Sequence, residues 1–143
     1  MMAMFFRAFN EEDMYAMYGN GALIEDYCYD KALDRTDADD AWDVIMHVLP
    51  ETKMSSGVHC PEGFEIGAYL QLPEQVAEIY DTYANLNLTQ DDITERLKNL
   101  KGDIYRLKAY QKNPKHLFPE FNKLLDFYKQ ARDNNWGIVF YFN

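Results

Sequence analysis

Eight carboxylates crowd the segment from Glu25 to Asp43: Glu25, Asp26, Asp30, Asp34, Asp37, Asp39, Asp40 and Asp43, set against only Lys31 and Arg35. Oxygen donors at that density could ligate a hard cation or steer a basic partner. The cation option needs spacing that the segment lacks. An EF-hand loop opening at Asp34 requires an oxygen ligand at its fifth position, glycine at its sixth and glutamate at its twelfth. Those positions hold Ala38, Asp39 and Ile45. Nitrogen and sulfur donors are His47, His59, His116, Cys28 and Cys60. His59 and Cys60 are adjacent, and neither Cys-x-x-Cys nor His-Glu-x-x-His spacing accompanies them. No metal or other cofactor is therefore expected, and the two cysteines read as reduced, packed thiols.

A second pattern interleaves bases and aromatics: Lys98, Lys101, Arg106, Lys108, Lys112 and Lys115 with Tyr105, Tyr110 and His116. Single-strand nucleic-acid grooves combine the same residue types, but the signatures of the common nucleic-acid folds are absent. The chain also lacks a P-loop, a dinucleotide fingerprint and a nucleophile elbow. Overall charge points the same way. Across 143 residues the formal charge is −10, which disfavours attraction to phosphate backbones or anionic lipid. The layout is polar along the chain: residues 1 to 95 hold 20 acids and 4 bases, whereas residues 96 to 132 hold 3 acids and 10 bases.

These groups must be positioned by elements legible in the sequence. With 48% hydrophobic and 15% aromatic residues, the composition is that of a globular chain, and its length fits one domain over 1–143. Residues 2 to 9 read as a strand, with Asn10 capping a short helix that ends at Gly19-Asn20-Gly21. A second short helix is expected over 22–28. From Asp37, the residues Ala38, Ala41, Trp42, Ile45, Val48 and Leu49 form a stripe of helical period, stopped by Pro50. Residues 51 to 63 have loop composition, and Phe64 to Leu70 read as a strand. Leu72-Pro73-Glu74 opens a helix, and Thr89 with Asp92 forms a capping-box pattern before another; both should pack on the sheet. A long helix runs through Phe118 to Ala131 and ends near Asn134 and Asn135. Trp136 to Phe142 is almost wholly β-branched or aromatic, which predicts an interior strand covered on both faces and paired with the first. The expected class is α+β, a small mixed sheet containing the N- and C-terminal strands, packed with several amphipathic helices.

Three segments together resemble the YfbM-like family, bacterial proteins that share a domain of unknown function. They are the apolar first strand running into a short helix; Asp39-Asp40-Ala41-Trp42-Asp43 with the later Gly67-Ala68-Tyr69-Leu70 and the Leu72-Pro73-Glu74 opening; and Phe127-Tyr128 leading to Val139-Phe140-Tyr141-Phe142. Members of that family often carry a histidine four residues after the tryptophan. Here that position is Met46, and His47 follows it, about 100° further around a helix. The resemblance implies an α/β domain and no particular reaction.

The leading expectation is a non-enzymatic, acidic protein-binding module in the cytoplasm. Asp30, Asp34, Asp37, Asp39, Asp40 and Asp43 would engage a basic protein partner, a toxin or nuclease being one form. The N-terminal segment lacks a secretory leader pattern, and neither a membrane span nor nucleic-acid binding is expected. The alternative is a small enzyme or ligand-binding protein with a pocket near Trp42, His47 and Tyr69.

Overall fold

Alternation between two cores decides the architecture. The computed structural model describes residues 2–143. Its strands are β1 (Met4–Phe9), β2 (Asp34–Asp37), β3 (Val58–Cys60), β4 (Ala68–Gln71) and β5 (Gly137–Phe142), in the sheet order β2-β1-β5-β4-β3. Successive residues of a strand face opposite sides. Met4, Phe6, Ala8, Ile138 and Phe140 accordingly enter one core, and Phe9, Leu70, Val139 and Tyr141 enter the other. Because β5 feeds both, its near-continuous apolar sequence is required rather than excessive.

Helices α1 (Glu11–Gly19) and α2 (Ile24–Asp30) cover the second face through Met14, Met17, Ile24 and Cys28. The first face carries α3 (Trp42–Val48), α4 (Pro73–Leu86), α5 (Gln90–Asn99), α6 (Leu107–Lys112) and α7 (Leu117–Asp133). Local chemistry sets the boundaries. Asn10 Oδ1 accepts from the Asp13 N–H at 2.8 Å, and Thr89 and Asp92 satisfy each other's backbone donors reciprocally. Asn135, in the left-handed region at φ 57, turns α7 into β5. Phe6, Phe9 and Tyr128 have no exposed surface, each burial contributing roughly 1.5–3 kcal/mol.

Several expectations are corrected. The class is α+β with both terminal strands in the sheet, but all four pairings are antiparallel, so the sheet is not mixed. The helical excursion after β4 returns the chain beside the strand ends it left: Ile138 pairs with Gln71, and Gly137 with Phe9. β5 must then run opposite to both neighbours. Residues 34–37 form an edge strand, and α3 starts at Trp42 rather than near Asp37. An edge strand needs no apolar alternation, so Asp-Arg-Thr-Asp gave no strand signal. β3 lies within the expected loop, and β4 begins later than Phe64 because Phe64 and Gly67 have positive φ. A Cβ on Gly67 would also stand 2.6 Å from His59 Nε2. α6 was not anticipated, and α5 packs against α3 and α6 instead of the sheet.

One buried polar relay ties α7 to the loop after α3. Tyr128 Oη donates to Gln71 Oε1 at 2.6 Å, and Gln71 Nε2 donates to the carbonyls of Met54 and Ser56 at 2.8 and 2.6 Å. Both side chains are fully buried, and every polar atom of the Gln71 amide is used. Tyr128→Phe should cost about 1–3 kcal/mol by leaving Gln71 Oε1 unpartnered. Gln71→Leu should cost more, since it strands the Met54 carbonyl and the Tyr128 hydroxyl and leaves the Ser56 carbonyl only Gln75 Nε2 at 3.3 Å. Urea denaturation of the two variants checks the order.

Candidate functional site

The loop held by Gln71 forms one wall of a cleft of about 420 Å³ on the first face of the sheet. Its floor comes from strand residues brought together by register: Met4 opposite Phe142, and Tyr69 opposite Phe140. α3 supplies Trp42, Asp43, Met46 and His47, and the chain from Pro50 to Ser56 supplies the opposite rim, including Lys53, Met54 and Ser55.

Aromatic contacts fix this lining. Trp42 stacks on Tyr105 at 5.7 Å between centroids and meets Phe142 edge to face at 4.8 Å. Its indole Nε1 donates to the Met2 carbonyl at 3.2 Å. Tyr69 lies between Phe140, at 5.1 Å and 13°, and His59, at 4.9 Å. Polar geometry concentrates on one turn of α3. His47 Nδ1 lies 2.8 Å from the Asp43 carbonyl oxygen and 3.2 Å from Asp43 Oδ1. A carbonyl only accepts, so Nδ1 carries the proton and Nε2 is left for other contacts. Asp43 Oδ2 in turn accepts from the Tyr105 N–H at 2.7 Å. A carboxylate-oriented imidazole beside an aromatic cleft can bind a polar ligand group or exchange a proton with it.

A family model for a domain of unknown function, DUF1877, matches residues 1–141. The chain belongs to the DUF1877 family. The solved structure of YfbM from Escherichia coli, itself a protein of unknown function, is similar to the DUF1877 chain at 15% identity. The alignment covers 98% of each chain with a TM-score of 0.61, which shows a shared fold. No curated protein matches the chain.

The DUF1877 fold brings Trp42, His47 and Tyr69 to one cleft. It disperses the six aspartates. Asp30 is exposed at the end of α2 and Asp34 lies on β2. Asp37 Oδ1 accepts from Lys123 Nζ and from the Asp39 N–H, both at 3.1 Å, and Asp39 itself has φ 44. Asp40 is buried and accepts from Tyr110 Oη and, at 2.9 Å, from Arg106 Nε. Burial and this carboxylate raise the Tyr110 phenol above its ordinary value. Thus Asp37, Asp40 and Asp43 are each held by groups from the basic part of the chain.

His59 and Cys60 diverge because neighbours on a strand face opposite ways: His59 is exposed against Tyr69, and Cys60 is buried in the second core. Burial pushes the Cys28 thiol up to about 12 and raises that of Cys60. Sequence reasoning missed Met4, Met54, Lys53, Phe140 and Phe142 as cleft residues. Period-two alternation placed the strand residues on one face, but their convergence on α3 depends on β1 lying beside β5.

Glu51, next to the cleft residue Pro50, makes a paired contact with Arg96 at 2.7 and 2.8 Å. The Arg96 hydrogen bonds hold its carboxyl below the usual glutamate value. Its contribution is therefore present above the unfolded-state value of about 4.3 and is lost as pH falls through the lower folded value. Glu51→Gln should destabilise the protein at pH 7 by less than about 1 kcal/mol, a screened surface pair. Denaturation at descending pH should show the gap to the parent closing below that range.

Proposed function

We propose that the protein binds a small molecule in the cleft at Trp42, His47 and Tyr69. The observation that carries this reading is the cleft itself: about 420 Å³, lined mainly by aromatic and methionine side chains, with a few polar groups on its two rims. That combination of size and lining is typical of ligand sites. Support also comes from the Gln71 relay, which holds the rim loop in place without a ligand. Isothermal titration with 2-naphthalenemethanol, a neutral flat probe, should give saturable 1:1 binding. Met46→Trp, which fills the cleft, should weaken it at least tenfold while circular dichroism is unchanged. Equal affinity in parent and filled variant would remove the cleft as the site.

A second reading, engagement of a basic protein, draws on a different surface. Tyr15, Tyr18 and Tyr29 are 49%, 53% and 63% exposed on α1 and α2. Beside them in sequence, Glu11, Glu12, Glu25, Asp26 and Asp30 are exposed and without ion pairs among the described residues. Tyrosine supplies contact area, and the acids supply steering. With cytochrome c as a basic probe at low salt, a Glu25→Lys, Asp26→Lys, Asp30→Lys variant should lose binding. An Asp37→Asn, Asp39→Asn, Asp40→Asn variant that retains its fold should keep most of it. Equal loss in both would reduce the interaction to net charge and reject this reading.

A further inference from the structure

We infer that the ligand of the cleft is a flat aromatic molecule bearing an oxyanion, with its ring against Tyr69 and Trp42 and its negative group at Lys53 and the serines of the rim. This rests on the cleft being the binding site and adds the class of ligand.

The ring preference follows from how the aromatic side chains are stacked. Tyr69 has Phe140 against one face and His59 against the other, so its edge is what remains for the cleft. Trp42 has one face occupied by Tyr105. Ring edges carry the positive side of the aromatic quadrupole and attract the negative face of another ring. Met46 and Met54 add polarizable sulfur, which packs well against a ring. A saturated ring of equal size offers no such face.

The charge preference follows from which polar groups are already engaged. Glu51 stands two residues before the rim cation in the chain, and Asp43 shares the cleft lining with it. Glu51 is held by both Arg96 nitrogens, and Asp43 is held by His47 and the Tyr105 N–H. Lys53 makes no ion pair among the described residues. Its backbone is pinned in the left-handed region at φ 54, with its N–H donating to the Pro50 carbonyl at 3.2 Å. A residue of this type at positive φ carries a conformational cost, and here that geometry sets Lys53 at the rim. The Ser55 and Ser56 hydroxyls have no hydrogen-bond partner among the described residues. One ammonium and two hydroxyl donors on a single loop form a donor set suited to carboxylate or phosphate oxygens. The net charge of −10 acts over a Debye length of about 8 Å at physiological salt, so contacts inside the cleft dominate the choice.

The test is calorimetric titration in 0.15 M salt with four probes: 2-naphthoate, 2-naphthalenemethanol, 2-naphthylmethylamine and cyclohexanecarboxylate. Naphthoate should bind about tenfold more tightly than the alcohol. The amine and the cyclohexane acid should both fall below naphthoate by at least that factor. In Lys53→Met the naphthoate-to-alcohol ratio should approach one, and in Lys53→Arg it should largely return. If the alcohol or the amine matches naphthoate, or Lys53→Met keeps the preference, the oxyanion assignment fails while the cleft stands. If cyclohexanecarboxylate matches naphthoate, the aromatic assignment fails. If no probe binds, or if Met46→Trp leaves binding unchanged, the cleft reading itself fails and takes this inference with it.

Discussion

Everything in this fold depends on β5 being buried on both faces while its two edges are hydrogen-bonded to β1 and β4. A strand so placed has no solvent side, so each residue must be apolar enough for one core or the other, and Gly137 to Tyr141 satisfy this with Ile138 and Phe140 on one side and Val139 and Tyr141 on the other. Both helical layers pack against what this strand presents. The cleft inherits its floor from the same source, since Phe140 and Phe142 are alternate residues of β5 facing the α3 side.

Charge is organised by the fold rather than merely exposed by it. The acidic part of the chain and the basic part after residue 95 are folded onto each other at Asp40 with Arg106, Glu51 with Arg96, Asp37 with Lys123 and Asp81 with Arg132. Most of these pairs are solvent-exposed and individually weak. Asp40 differs, being buried and bonded to both Tyr110 and Arg106. It joins the turn before α3 to α6 and so helps to set the angle at which α3 stands over the sheet. Across the sheet from the cleft, the acids of α1 and α2 are left without ion-pair partners among the described residues.

The parts of the fold legible in the sequence were those with strong local periodicity or capping. β1, β5, α4, the Thr89 capping box and α7 all declared themselves through apolar pattern and end chemistry. β2, β3 and α6 did not, because each is short and draws its definition from a neighbour: β2 from the ladder to β1, β3 from β4, and α6 from α5 and Asp40. For the site, Trp42, His47 and Tyr69 were readable as a group, whereas Lys53 and Met54 sit in a loop whose course depends on Gln71. A lone glutamine at a strand end carries no sign in sequence that it will hold two carbonyls of a distant loop.

The pairing of Met4 with Phe142, extended by mutual backbone bonds between Ala3 and Asn143 at 3.1 and 3.3 Å, has a consequence for assembly. Met4 and Phe142 both line the cleft, yet they stand on the first and the last strand of the sheet in chain order, so the floor closes only when those two strands have paired. Until β5 is in place, the α1–α2 layer lacks Val139 and Tyr141 beneath it, and Met4 and Tyr69 lack the Phe142 and Phe140 that complete the floor. Closure of the cleft is thereby tied to a long-range pairing, and the contacts that complete its floor are among those that cost the most loop-closure entropy to form.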